Sequence, residues 1–219
     1  MTMPSLVLML AAGWAAGFAA GDPGHGHGVV RVRATAAVAP CVEAAARAYT
    51  TPSRRVVVDT GRLADGAADV LVGAAAEVTR ALEGGAAAAD SDAEIARVPW
   101  LLVVPAGNPQ ALRGLADVER AGVEVWVAGG PAANEARRAL QKLAPERVRE
   151  ASDSTVPRGA AAALAPLCLA GPGERLAVDV PELVVQAAVS AGAARPDAAR
   201  DFVAFLGSPA GRRAFVSVP

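Results

Sequence analysis

Two successive series of short apolar runs, each separated by segments of helical period, restrict the fold of this chain more than any other feature. Residues 29–35 (VVRVRAT) alternate apolar and charged side chains as a half-buried strand does. Residues 41–49 then carry an apolar helical face behind Pro40, a residue suited to a helix start. Residues 56–59 and 69–73 are two further strand-like runs, and AAAEVTRALEGG after them reads as a helix closed by Gly84 and Gly85. A second series opens at Val98: PWLLVVP and VEVWVAG as strands, PAANEARRALQKL as a helix, VPRGAAAAL as a short helix, LCLA and RLAVDV as strands, and ELVVQAAV as a last strand. The chain closes with two helices, PDAARDFVAFLGS and PAGRRAFVS, joined at Ser208-Pro209. The alternation predicts an α/β fold with parallel pairing, arranged as two lobes joined by crossover strands. Ligands of such sheets collect at strand carboxyl ends and at the helix N-termini facing them.

Composition narrows the function. Of 219 residues, 53% are apolar and 20% charged, enough apolar surface for a folded core. The net charge is −1 and basic residues are scattered singly or in pairs such as Arg54/Arg55 and Arg212/Arg213, which excludes a nucleic-acid footprint. Lys142 is the only lysine and Ile95 the only isoleucine, a bias that makes the alanine runs poor functional markers. From Leu6 to Ala20 the chain has no charge, a run shorter than the roughly twenty residues of a membrane span. It fits the apolar core of a signal peptide, with Gly17 and Ala19 before a cleavage point near Gly21. MTMPS lacks the expected positive charge, which leaves an uncleaved anchor or a buried helix as alternatives.

Catalytic patterns are missing. No nucleophile elbow, Walker loop, dinucleotide fingerprint or HExxH motif occurs, and both histidines, His25 and His27, fall in the GHGHG leader. Without a histidine in the body, Ser-His hydrolysis has no base, so no enzyme activity and no cofactor is expected. His25 and His27 lack companions for a coordination sphere, so no metal site is expected either. Ser152, Ser154 and Thr155 read as caps of the following helix or as ligand contacts. Cys41 and Cys168 match no zinc or redox spacing; they either pair or sit as two isolated buried residues, the second being the preferred reading.

Residues 97–109 (RVPWLLVVPAGNP), followed by Leu112 to Ala116, resemble the crossover strand, V-P-x-G-N-P turn and L-x-x-L segment of bacterial periplasmic molybdate-binding proteins. Residues 198–211 (AARDFVAFLGSPAG) are similar to the closing helices of that family and of other type II solute-binding proteins. Residues 129–140 (GGPAANEARRAL) resemble the Pro-Ala-Gly turn that opens a helix beside the bound oxyanion. The resemblance implies a type II periplasmic-binding fold with a cleft between lobes. It divides the chain into a signal peptide (1–20), a flexible leader (21–28), lobe one (29–97), lobe two (98–182) and a return to lobe one (183–219). It further implies an exported, periplasmic, monomeric protein that carries a small oxyanion-like solute to an ABC permease.

This chain departs from the family where hydroxyls bind the anion. Ala36 and Ala37 stand where the family has a serine, Thr60 and Gly61 replace a second serine cluster, and LCLAG ends without the family's tyrosine. Pro131 and Ala132 match the turn, but Ala133 replaces its glycine. The ligand contacts implied are Ala37, Thr60, Gly61, Ala132, Ala133, Ser154, Thr155 and Val156, several through backbone N–H groups. The same alignment puts Cys41 in the first turn of a lobe-one helix and Cys168 on a lobe-two strand. The rival reading is a degenerate relative that keeps the fold but serves as an interaction or sensory module.

Overall fold

Strand β1 (Gly28–Ala34) buries Val30, Val32 and Ala34 and leaves Val29 and Arg31 exposed, so one of its faces requires a cover. Helix α1 (Ala39–Tyr49), with a proline in its first turn, lays Cys41, Val42, Ala45 and Ala46 on the sheet. The computed structural model describes residues 28–128, 130–143, 145–151 and 160–216. After α1 come β2 (Arg54–Thr60), β3 (Val70–Ala74), α2 (Ala75–Glu83) and β4 (Ala93–Val98). Then follow β5 (Trp100–Val104), α3 (Leu115–Ala121), β6 (Val125–Val127), α4 (Asn134–Leu143), β7 (Val148–Glu150), β8 (Ala162–Pro166) and β9 (Glu174–Ala177). Strand β10 (Leu183–Val189), α5 (Pro196–Gly207) and α6 (Pro209–Val216) complete the order.

The strands form two five-stranded sheets, β2-β1-β3-β10-β4 and β7-β6-β8-β5-β9. The pairing is mixed, which corrects the expectation of parallel strands. β1 runs parallel to β2 and β3, and β6 to β7 and β8, whereas β10 is antiparallel to β3 and β4, and β5 to β8 and β9. The cause is the lobe exchange: β4 passes into β5 through Pro99 alone, and β10 returns from the other lobe, so no helical crossover orients either one.

In the first lobe Tyr49 of α1 sets its ring 5.1 Å from Phe202 and 4.9 Å from Phe205 of α5, fastening α1 to the terminal helices. Helix α2 covers the other face over Leu71 and Ala188 with Val78 and Ala81. The buried Asp69 carboxylate accepts hydrogen bonds from the N–H groups of Arg31 (2.9 Å), Ala194 (2.8 Å) and Arg195 (3.3 Å), joining β1, the approach to β3 and the start of α5. In the first turn of α6 a Cβ at Gly211 would run into the Phe205 carbonyl oxygen, so α6 packs this closely on the end of α5 only over glycine.

Two local expectations fail in the second lobe. Residues 162–164 of the anticipated VPRGAAAAL helix belong to β8, whose five residues are all buried between β5 and β6. Small side chains let this central strand be covered on both faces, and that packing overrides the helix preference of alanine. The anticipated LCLA strand is a 3-10 turn, Leu167–Leu169, in which the Leu167 N–H donates to the Pro99 carbonyl at 2.9 Å. That bond ends β8 against the interlobe passage. The expected signal segment, most of the leader, and Ser152, Ser154, Thr155 and Val156 lie outside the described residues.

Candidate functional site

Strand β3 is buried along its whole length and turns at Ala74 directly into α2. Glu77 closes that start, its carboxylate accepting the Ala74 N–H at 3.1 Å. A Cβ at Gly73 would lie 3.0 Å from Thr35 Cγ2 and 3.2 Å from a Glu77 oxygen, so a larger residue at this strand end would have to displace those side chains by a few tenths of an ångström. Gln186 of β10 is the register partner of Gly73, and directly opposed antiparallel residues share a face. Thr35 and Gln186 therefore flank Gly73 on the side that α2 covers. The Thr35 hydroxyl and the Gln186 carbonyl oxygen are both buried without a hydrogen-bond partner among the described residues.

Facing this corner is the second lobe, where a 3-10 turn (Gly130–Ala133) leads into α4. Between the two helix starts lies a pocket of about 180 Å³. Lobe one contributes residues 74–77 and Arg80; lobe two contributes Pro131, Ala132, Asn134 and Arg138. Trp100 and residues 182–184, at the two interlobe passages, form its back. A volume this small suits a compact solute. Each lobe supplies a helix start and an arginine, so a bound anion would contact both lobes at once. Arg137, adjacent to Arg138 in sequence, is engaged elsewhere, donating to Glu150 at 2.6 Å and to Asn134 at 2.9 Å. Glu77 and Glu182 bring carboxylates to the same pocket, so an anion is held only where it meets the arginine side.

The sequence-predicted contacts are dispersed. Ala132 lines the pocket and Ala133 is fully buried behind it. Ala37 is buried after β1, Thr60 is exposed at the end of β2, and the Gly61 N–H donates to the Ala34 carbonyl at 3.0 Å. Among the pocket residues, sequence reasoning missed Arg80, Trp100 and Arg138, none of which lies in a motif that signals a ligand. Among the described residues no group of three His, Cys, Asp or Glu side chains comes together as a metal site.

The preferred reading of the cysteines as isolated residues gives way. Cys41 in the first turn of α1 and Cys168 in the 3-10 turn after β8 form a disulfide, with Cα atoms 5.4 Å apart. The bond links the two lobes. Proximity, not sequence spacing, decides it: the turn that replaces the anticipated strand brings Cys168 against α1.

A family model described as Bacterial extracellular solute-binding protein matches residues 15–177. No curated protein sequence matches the chain. Among solved structures, the periplasmic molybdate-binding protein of Azotobacter vinelandii is similar over 85% of this chain and 96% of its own, with a TM-score of 0.70 at 18% identity. The sulfate-binding protein SubI of Mycobacterium tuberculosis H37Rv is similar over 87% of this chain and 85% of its own, with a TM-score of 0.68 at 18% identity. Peb3 of Campylobacter jejuni covers 85% of this chain and 96% of its own, with a TM-score of 0.64 at 17% identity. At these identities the likeness is one of fold.

Proposed function

We propose that this chain, which belongs to the bacterial extracellular solute-binding protein family, holds a small anionic solute in the interlobe pocket and presents it to an ABC permease. The observation that carries the reading is the pocket itself, walled by both lobes, with Arg80 on one side and Arg138 on the other. A ligand bridging two lobes favours the closed arrangement through contacts that the open one lacks. Ala132, Ala133 and the neighbouring N–H groups take the part that the family resemblance assigns them, and Asn134 adds a polar side chain to the same wall. Thr60, Ser154, Thr155 and Val156 remain contacts proposed from the resemblance alone. The interlobe disulfide suits an oxidising compartment, which agrees with export to the periplasm.

Molybdate is not the ligand favoured here. Each charge-assisted hydrogen bond removed with a serine is worth roughly 1.5–3 kcal/mol, so two losses weaken a bare oxyanion by two to four orders of magnitude. Titration calorimetry with molybdate, tungstate, sulfate and phosphate tests the proposal, together with Arg138→Ala, which should weaken any bound anion by roughly ten- to a hundredfold. Submicromolar molybdate binding would overturn this reading of the site. The interaction-module reading is favoured by the alanines and glycine that stand at Ala36, Ala37 and Gly61 where the family has serines, and it prevails if none of the four anions binds.

A further inference from the structure

We propose that the exposed edge of β2 pairs with the same strand of a second copy, joining two first-lobe sheets across a twofold axis through Val57. Strand β2 is the outer strand of its sheet, and its seven residues pair with β1 in unbroken register from Gly28↔Arg54 to Ala34↔Thr60. The Gly61 N–H bonds to the Ala34 carbonyl, so in this parallel ladder the odd-numbered residues turn their main-chain groups toward β1. The even-numbered residues turn theirs outward. Arg54 confirms the parity by exchanging both main-chain bonds with Thr51, at 2.9 and 3.1 Å, on the outer side. The N–H and C=O groups of Val56 and Val58 thus face outward in the middle of the strand, which has no proline, lysine or bulge to blunt its edge.

The sequence of β2 is complementary to itself when reversed. With Val57 opposite its own copy, Val56 meets Val58 and Arg55 meets Asp59, twice over by symmetry. Val56 and Val58 are then mutually hydrogen-bonded pairs, giving four main-chain bonds that match the outward parity. Their side chains lie on the α1 face, in a groove of about 400 Å³ bordered by Glu43, Arg47 and Thr50, which gives the partner's valines room. On the opposite face Val57, 36% exposed, is among the few large apolar side chains the described surface leaves open. Arg54 does not interfere, since its guanidinium sits 5.5 Å over the Tyr49 ring. Slipping the pairing to either adjacent register of the same parity sets Arg55 or Asp59 opposite Val57 and loses both ion pairs. The partner that fits is therefore a second copy of this chain, in place of the monomer expected from the sequence.

Sedimentation of the full chain over a concentration series tests this. The wild-type chain should reach twice the monomer mass, and Arg55→Asp and Asp59→Arg should each weaken association roughly tenfold or more, because two attractive cross-strand pairs become repulsive. An equimolar mixture of the two variants should recover the dimer, since each then supplies the charge the other lacks. That recovery also shows that both variants are folded. Val57→Asp, which places two carboxylates together at the axis, should abolish pairing independently. A wild-type chain that stays monomeric at millimolar concentration, a dimer indifferent to the reversals, or a mixture that fails to recover would overturn the proposal.

Discussion

Replacing both cysteines, Cys41→Ala with Cys168→Ala, should cost this protein a large part of its stability. The bond closes a loop with a sequence separation of 127 residues. In the chain-entropy description that loop removes about 16 cal/mol/K from the unfolded chain, or about 5 kcal/mol at room temperature. A domain of this size loses roughly 2–4 °C of melting temperature per kcal/mol, so the midpoint should fall by roughly 10–20 °C. The effect on ligand exchange should be smaller. Cys168 follows Leu167, whose N–H is bound to the Pro99 carbonyl at the passage between sheets. A tether so near the pivot has a short lever arm, and it limits opening less than one at the lips of the cleft would. Thermal melts of the double variant, and of the wild type with and without reductant, measure the stability change; stopped-flow release of a bound anion measures the exchange. A fall of less than about 3 °C in a protein whose thiols are verified as free would refute the loop-entropy reasoning.

Asp69→Ala should destabilise the first lobe by about 1–3 kcal/mol in urea unfolding, because it strips three partly buried N–H groups, those of Arg31, Ala194 and Arg195, of their acceptor. Thr35→Val should leave stability unchanged or raised in a thermal melt, since it removes a buried hydroxyl that has no partner among the described residues. The single tyrosine, Tyr49, should ionise above its ordinary value of 10.0, because burial disfavours the phenolate more than the nearby Arg54 favours it. A raised folded value means that its contribution to stability is intact below the ordinary value and is lost as pH rises through the folded one, which ultraviolet titration alongside an alkaline melt would show.

The elements legible in the sequence are those whose local pattern and tertiary role agree. Val30, Val32 and Ala34 alternate because only one face of β1 meets α1, and Pro40 and Gly84 mark helix ends wherever those helices dock. Strand β8 was illegible because AALAP is buried on both faces and shows no period, so alanine's local preference pointed to a helix. Strand β4 escaped for the opposite reason: AEIARV, exposed at Ala93, Glu94 and Arg97, offers too little apolar alternation to be seen before its partner β10 returns from the far end of the chain.

The site was harder to read than the fold, and the reason is geometric. Family resemblance locates positions along the sequence, such as Ala37 and Gly61, where a side chain is expected to meet an anion. The pocket is made instead by juxtaposition, with Arg80 a turn into α2 and Arg138 a turn into α4, on helices that meet because the chain passes between the sheets at Pro99 and again before β10. Neither arginine belongs to a motif, and each looks like one of many scattered surface cations until the lobes close on it. The same juxtaposition explains why Cys41 and Cys168 escaped a spacing argument: their pairing depends on a 3-10 turn held by the Pro99 carbonyl, and a strand at those residues would have carried Cys168 along β8 instead of against α1.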